Sequence, residues 1–255
     1  MLFRSTKILA QTTLDAKRYQ SLGLNNVTVT GNLKFDVSAN STQVNDALRL
    51  RKELNVGMQI VCAASTRDGE EELIIAAWQK LKQDRADLNN ICLLLVPRHP
   101  QRFDDVYALL TKAFPHVPRK SLLTSSADLA AAINQHGILL GDSMGEMSFY
   151  YALSDFVVMG GSLQPLGGQN FIEACALGRP IILGQHTFNF QQASLDVIDA
   201  EAGLRVDNVD GLSQAIGLLF TNHDLKEAMS TNALDFANQH TGATEKILAI
   251  VQSAH

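Results

Sequence analysis

Seven short runs of mostly apolar residues, separated by amphipathic segments, constrain this chain more than any other feature. The runs are Val27–Thr30, Gln59–Ala64, Ile91–Val96, Gly137–Leu140, Phe156–Met159, Ile181–Leu183 and Leu204–Val206. A strand with one wet face alternates apolar and polar residues, whereas a strand covered on both faces does not. Most of these runs do not alternate, so they read as strands of a sheet with helices on both faces. The intervening segments carry helical spacing. Phe103, Val106, Tyr107, Leu110 and Phe114 share one helix face, as do Leu73, Ala76, Ala77 and Leu81. Alternation of strand and helix implies parallel strands joined by right-handed crossovers. The expected fold is an α/β, Rossmann-like parallel sheet, followed from Asp210 to Ser253 by two or three helices and no strand.

Residues 27–255 are expected to form that domain. Residues 1–26 hold a short segment and a helix, Asp15–Leu22, and complete no β–α unit. Their usual packing partner is expected to be absent, leaving them mobile, rearranged or borrowed by another copy of the chain. Thr30–Gln43, with one Gly, two Asn and two Ser, reads as a linker. No apolar stretch approaches the roughly 18–20 residues of a membrane span, and the opening residues lack the apolar core of a secretory signal. With 26 acids against 21 bases the net charge is −5, the wrong sign for a general nucleic-acid binder. Cys62, Cys92 and Cys175 lie far apart inside apolar segments, and they read as reduced core residues of a cytoplasmic protein rather than zinc ligands. His99 and His186 lack metal-binding spacing.

In an open parallel sheet, ligands bind beyond the carboxyl ends of the strands, and four segments there are candidates. Ser65 to Glu72 follows a strand and opens a helix, but it has one Gly and three acids in the first helical turn, unlike a phosphate loop. Asp68 and Glu71 read as a capping box, with Ser65 or Thr66 as the alternative, donors to a ligand. Pro97-Arg98-His99-Pro100 places an Arg in a loop stiffened by two prolines, suited to a phosphate or carboxylate unless it is only a solvated surface group. Gly141 to Met147 contains Ser143 and Glu146 at capping-box spacing, or a helix start that could receive an anion. Gly160 to Ala174 has two Gly pairs before a helix start, with Asn170 and Glu173 on one face. Glycines let backbone approach a ligand, and a carboxylate there could accept both hydroxyls of a ribose; the alternative is a cap, Asn170 with Glu173.

Taken in order, these segments resemble the 3-deoxy-D-manno-oct-2-ulosonic acid (Kdo) transferases of lipid A biosynthesis. The resemblance rests on Gly31-Asn32-Leu33-Lys34-Phe35-Asp36, Ser65-Thr66 with Gly69-Glu70-Glu71, Val96-Pro97-Arg98-His99-Pro100, Gly141 to Glu146, Gly160-Gly161-Ser162, Gly168 to Ala174, and His186-Thr187-Phe188-Asn189-Phe190. Gln11, Asp15, Ala16, Arg18 and Leu22-Gly23 fit as well. The family is similar to two-domain GT-B glycosyltransferases. The resemblance implies a C-terminal half that binds the donor CMP-Kdo, with no metal or other cofactor required. It places Pro97, Arg98, Met144, Gly145, Glu146, Asn170, Phe171, Ile172 and Glu173 at the CMP and Lys34 as the transition-state stabiliser. It also implies that the acceptor site, the membrane-associated segment and the general base belong to an N-terminal domain. Residues 1–26 are then expected to be the end of that domain, and the chain is expected to bind donor without transferring it. The full enzyme is expected at the cytoplasmic face of the bacterial inner membrane, acting on a lipid A precursor. Arg67 and Phe171-Ile172 depart from the family's commoner His and Pro-Leu. An epimerase-like relative and a non-catalytic nucleotide-binding module are the rival readings.

Overall fold

The computed structural model describes residues 7–36 and 38–253, without the side chain of Lys34. The chain divides into two compact units. One runs to Ser38 and resumes at Ala237; the other is Ala39–Phe236.

In the larger unit, six parallel strands form one sheet: β3 (Gln59–Thr66), β4 (Ile91–Pro97), β5 (Ile138–Leu140), β6 (Phe156–Met159), β7 (Ile181–Leu183) and β8 (Gly203–Arg205). Their spatial order is β5-β4-β3-β6-β7-β8, which is the 3-2-1-4-5-6 order of a dinucleotide-binding fold. Pairing is parallel throughout, with Val61 opposite both Leu93 and Phe156. β3 is buried from Ile60 to Thr66 and β4 along its whole length, as two-sided coverage requires.

Val61, Ala63, Leu93, Leu95, Phe156 and Val158 share a core with the helices α3 (Glu70–Asp84) and α9 (Val209–Thr221). Here the expected α3 stripe shifts by one residue. Ile74, Ala77, Trp78 and Leu81 are buried, and Ala76 is exposed, because Trp78 docks edge-on against Phe220 of α9. The alternate residues Ile60, Cys62, Leu94 and Val157 are equally buried on the other face, where α2 (Ser41–Arg51) packs on α6 (Met147–Leu153). All three cysteines are free and buried.

The smaller unit corrects two expectations. Val27–Thr30 is not part of the main sheet: β2 (Val27–Val29) pairs in parallel with β1 (Ile8–Ala10), with Ile8 opposite Val27. The division expected at residue 26 therefore falls at 38, and the opening segment has a partner in its own chain. Between the two strands lies α1 (Thr13–Ser21), capped by the Thr12 hydroxyl, which accepts from the Asp15 amide. Leu2 and Phe3 lie outside the described residues.

The Leu33–Phe35 turn brings Asp36 to the start of α11 (Ala243–Gln252). The Asp36 carboxylate accepts from the amides of Gly242 (2.6 Å), Ala243 (3.2 Å) and Thr244. A helix start leaves such amides without intrahelical partners, so Asp36 is the cap of α11. The Thr244 hydroxyl and these amides hold its pKa below the ordinary aspartate value. Asp36→Ala should cost about 0.5–2 kcal/mol of stability in denaturant unfolding. Because the folded pKa is lowered, the stabilisation is present above the unfolded pKa. It should fade as pH falls through the folded value, a loss absent from the variant.

Candidate functional site

The strand order reverses between β3 and β6, and the loops leaving their carboxyl ends touch. β3 ends irregularly: its pairing slips between Ala64 and Thr66, and Ser65 has φ +54°. A Cβ on Gly160 would stand 2.3 Å from the Ser65 carbonyl oxygen, so only glycine fits that crossing. Glu70, with no exposed surface, joins the two loops. Its carboxylate accepts from the amides of Gly161 (2.7 Å), Leu163 (2.9 Å) and Arg67 (2.9 Å). Burial raises its pKa, and the three amides offset part of that rise.

The neighbouring acids are used differently from a capping box. Gly69 is the N-cap of α3, without a side-chain bond, and Asp68 is almost fully exposed. Glu71 is buried and accepts from the Thr66 hydroxyl at 2.8 Å and from both terminal nitrogens of Arg102, at 2.7 and 3.0 Å. Thr66 is thereby engaged within the protein.

The Gly-rich loop is clasped by the segment after β7. Ser162 donates to the Met159 carbonyl and accepts from the Gly184 amide. The Asn189 amide donates to the Gly167 carbonyl at 3.0 Å. Gly167 has φ +92° and no room for a Cβ beside Asn189 and Phe188. These glycines thus have packing reasons of their own.

Beyond the carboxyl ends of the strands, the segments expected at the nucleotide divide into two groups. The Gly145 loop and Glu173 are each tied to the start of α2 (Gln43 and, through Ser148, Asn40). Ser148, on the first turn of α6, donates to Glu173 Oε1 at 2.5 Å and accepts from the Asn40 amide at 3.0 Å. This chain joins the starts of α6 and of α7 (Ile172–Ala176) to the start of α2. Asn170 Oδ1 accepts from the Ile172 amide at 3.0 Å. Met144 is 57% exposed, and the Gly145 carbonyl accepts from Gln43 at 2.7 Å. The helix starts at Met147, so Ser143 is not its cap; Ser143 pairs instead with the Tyr150 hydroxyl. Arg98 follows Pro97, the last residue of β4. Its amide donates to the Thr66 carbonyl at 2.9 Å, and its exposed guanidinium makes no ion pair among the described residues.

Phe171 and Ile172 behave otherwise. Both side chains are 1% exposed, and Phe171 stacks against Phe236 at 6.2 Å. Their side chains serve the core, and only their backbone is left to meet a ligand. Lys34 sits in the Leu33–Phe35 turn, and its side chain lies outside the described residues. Among the described residues no three His, Cys, Asp or Glu side chains converge as metal ligands, and no helix is long and apolar enough to cross a membrane.

Two further groups carry no local signal of their role. Ser148 reads as an ordinary helix residue. Lys120 lies 26 positions before Glu146 and forms an ion pair with it. Burial raises the Glu146 pKa, but hydrogen bonds from Lys120 and Ser143 and the Lys120 charge outweigh it, and the net shift is downward. Lys120→Met should raise the Glu146 pKa, measurable by a 13C carboxylate titration. An unchanged titration would show that the pair does not form in solution.

Known proteins resemble this chain over most of its length. A family profile described as 3-deoxy-D-manno-octulosonic-acid transferase (kdotransferase) matches residues 1–37. A 3-deoxy-D-manno-octulosonic acid transferase of Bordetella pertussis is 42% identical over 243 residues, 95% of this chain and 55% of that protein. One of Haemophilus influenzae is 34% identical over 96% of this chain and 56% of that protein. The chain thus spans about half the length of the curated relatives it matches. The solved C-terminal CMP-Kdo binding domain of WaaA from Acinetobacter baumannii superposes with a TM-score of 0.67 and 29% identity, covering 77% of this chain and 98% of that domain. Identity that runs through both units, joined to a Rossmann-like fold shared with a solved CMP-Kdo binding domain, means that this chain belongs to the 3-deoxy-D-manno-octulosonic acid transferase family.

Proposed function

We propose that this chain is the donor-binding half of a glycosyltransferase that moves Kdo from CMP-Kdo to a lipid A precursor. The observation that carries the reading is the Ser148–Glu173 bond. It sets a half-buried carboxylate near the Met144–Glu146 loop, at the carboxyl edge where Arg98 follows β4 and makes no ion pair among the described residues. A carboxylate has about four acceptor positions, so Glu173 can receive ribose hydroxyls while holding Ser148. Arg98 suits the single phosphate of CMP, and the Met144–Glu146 loop covers the remaining side of the nucleotide. Lys34 offsets charge that develops on the phosphate as the sugar–phosphate bond breaks. No metal or cofactor has a role in this scheme. Residues 1–26 are read as the end of an acceptor domain, and the whole enzyme is placed at the cytoplasmic face of the inner membrane.

Glu173→Ala should weaken CMP binding by about 1–3 kcal/mol in titration calorimetry, the range for a charged hydrogen bond. A folded variant with unchanged affinity would exclude the ribose role. Preference for CMP over UDP separates this reading from an epimerase-like relative, and preference for CMP-Kdo over CMP separates it from a nucleotide-sensing module.

The second expectation concerns turnover. Positioning two reactants is worth about 7–11 kcal/mol, and a general base adds about 10²–10⁴-fold. With acceptor site and base assigned to the other domain, this chain should bind CMP-Kdo yet produce no Kdo-modified lipid from a lipid A precursor. Turnover by these 255 residues alone would place the base within them.

A further inference from the structure

A cavity of about 570 Å³ opens at the opposite, amino-terminal edge of the main sheet. Gln59, the first residue of β3, and Asp155, the residue before β6, stand on its wall with Arg51, Lys52, His223 and Lys226. That volume is ordinary for a small-molecule site. It shares no residue with the nucleotide segments at the carboxyl edge.

The charges here do not balance. Both oxygens of Asp155 are in use: Oδ1 receives Arg51 at 2.9 Å and Oδ2 receives the Ile60 amide at 2.6 Å. Arg51 also donates to the Leu153 carbonyl. Behind this pair lies Arg179, which feels both Asp155 and Arg51, and whose Nε is buried without a hydrogen-bond partner. Lys226 completes the group, with its ammonium on the neutral amide oxygen of Gln59. Gln59 is held in that orientation by its own donation to the Phe220 carbonyl at 3.0 Å. Three cations therefore surround one carboxylate in a partly desolvated place, where uncompensated charge is costly.

Helix ends explain only part of this. Arg51 and Lys52 close α2, where a cation complements the dipole. Lys226 lies in the first turn of α10 (His223–His240), where the dipole repels a cation and favours an anion. Burial lowers its pKa, Asp155 and Glu227 oppose that shift, and Arg51 adds to it. A site that gathers cations against the local dipole is completed by a negative ligand.

We propose that this cavity is a second ligand site, independent of the nucleotide site, that binds a small dianion of the phosphate class through Lys226 and Lys52, with the Arg51 charge on its wall. The test is a titration of the full chain with inorganic phosphate, followed at the backbone amides of residues 55–59 and 223–226. Saturation below about 1 mM is expected. Lys226→Met and the exposed Lys52→Met should each weaken it by at least about tenfold, and Glu173→Ala should leave it unchanged. The Lys226 ammonium should titrate higher when phosphate is bound. Phosphatidylcholine vesicles with and without phosphatidic acid distinguish the source. Sedimentation that requires phosphatidic acid and Lys226 marks a lipid phosphate, and saturation by phosphate without sedimentation marks a free one. Local amides that do not respond to phosphate, or a response that folded Lys226→Met and Lys52→Met both retain, would overturn the proposal.

Discussion

Glu70 lies fully buried between two loops that converge where the strand order reverses, and it holds the ends of the two central strands together at the carboxyl edge. The Gly-rich turn after β6 exposes amides that no strand or helix satisfies. An unpaired buried amide costs about 1–3 kcal/mol, and Glu70 takes two of them together with the Arg67 amide. One carboxylate thus fixes the end of β3 against the end of β6. Glu71, the next residue, faces the other way and ties Thr66 to Arg102. Two adjacent acids at a helix start serve as rivets to three separate segments.

The second support is the pair of helices α2 and α6. At their amino ends, Asn40, Ser148 and Glu173 form a hydrogen-bonded chain beside the Met144–Glu146 loop. At their carboxyl ends, Arg51 holds the Leu153 carbonyl and Asp155. The same two helices therefore border the Met144–Glu146 loop and Glu173 at one edge of the sheet and the cationic cavity at the other. Side chains at both edges are positioned by rigid elements rather than by loops alone, the arrangement that keeps a binding geometry narrow.

Much of the fold was legible because two-sided burial leaves a direct trace in composition. Ile91–Val96 and Phe156–Met159 contain no residue that tolerates water, and both are strands. Val27–Thr30 misled because alternating Val and Thr suit any strand and say nothing of its partner; pairing with Ile8–Ala10 depends on contacts absent from a local window. The stripe on α3 slipped by one residue because Trp78 reaches an aromatic partner more than a hundred positions away. Asp68 and Glu71 have the spacing of a capping box, yet Glu71 is drawn inward by Arg102. Local spacing could not weigh that competitor.

By itself, the sequence determined the fold class, the order of its strands along the chain and the family. Each depends on local pattern: burial, periodicity and short motifs. It also singled out Arg98, Met144–Glu146 and Asn170–Glu173 as candidates, because ligands bind beyond strand ends in such a sheet. The tertiary structure alone decided which of these meet. Ser148 reaches Glu173 across 25 positions and Lys120 reaches Glu146 across 26, while Phe171 and Ile172 turn into the core. It alone set Lys226 among Arg51, Asp155 and Gln59. Hydrogen bonds and ion pairs act over a few ångströms, and only the folded chain determines which distant residues come within that range.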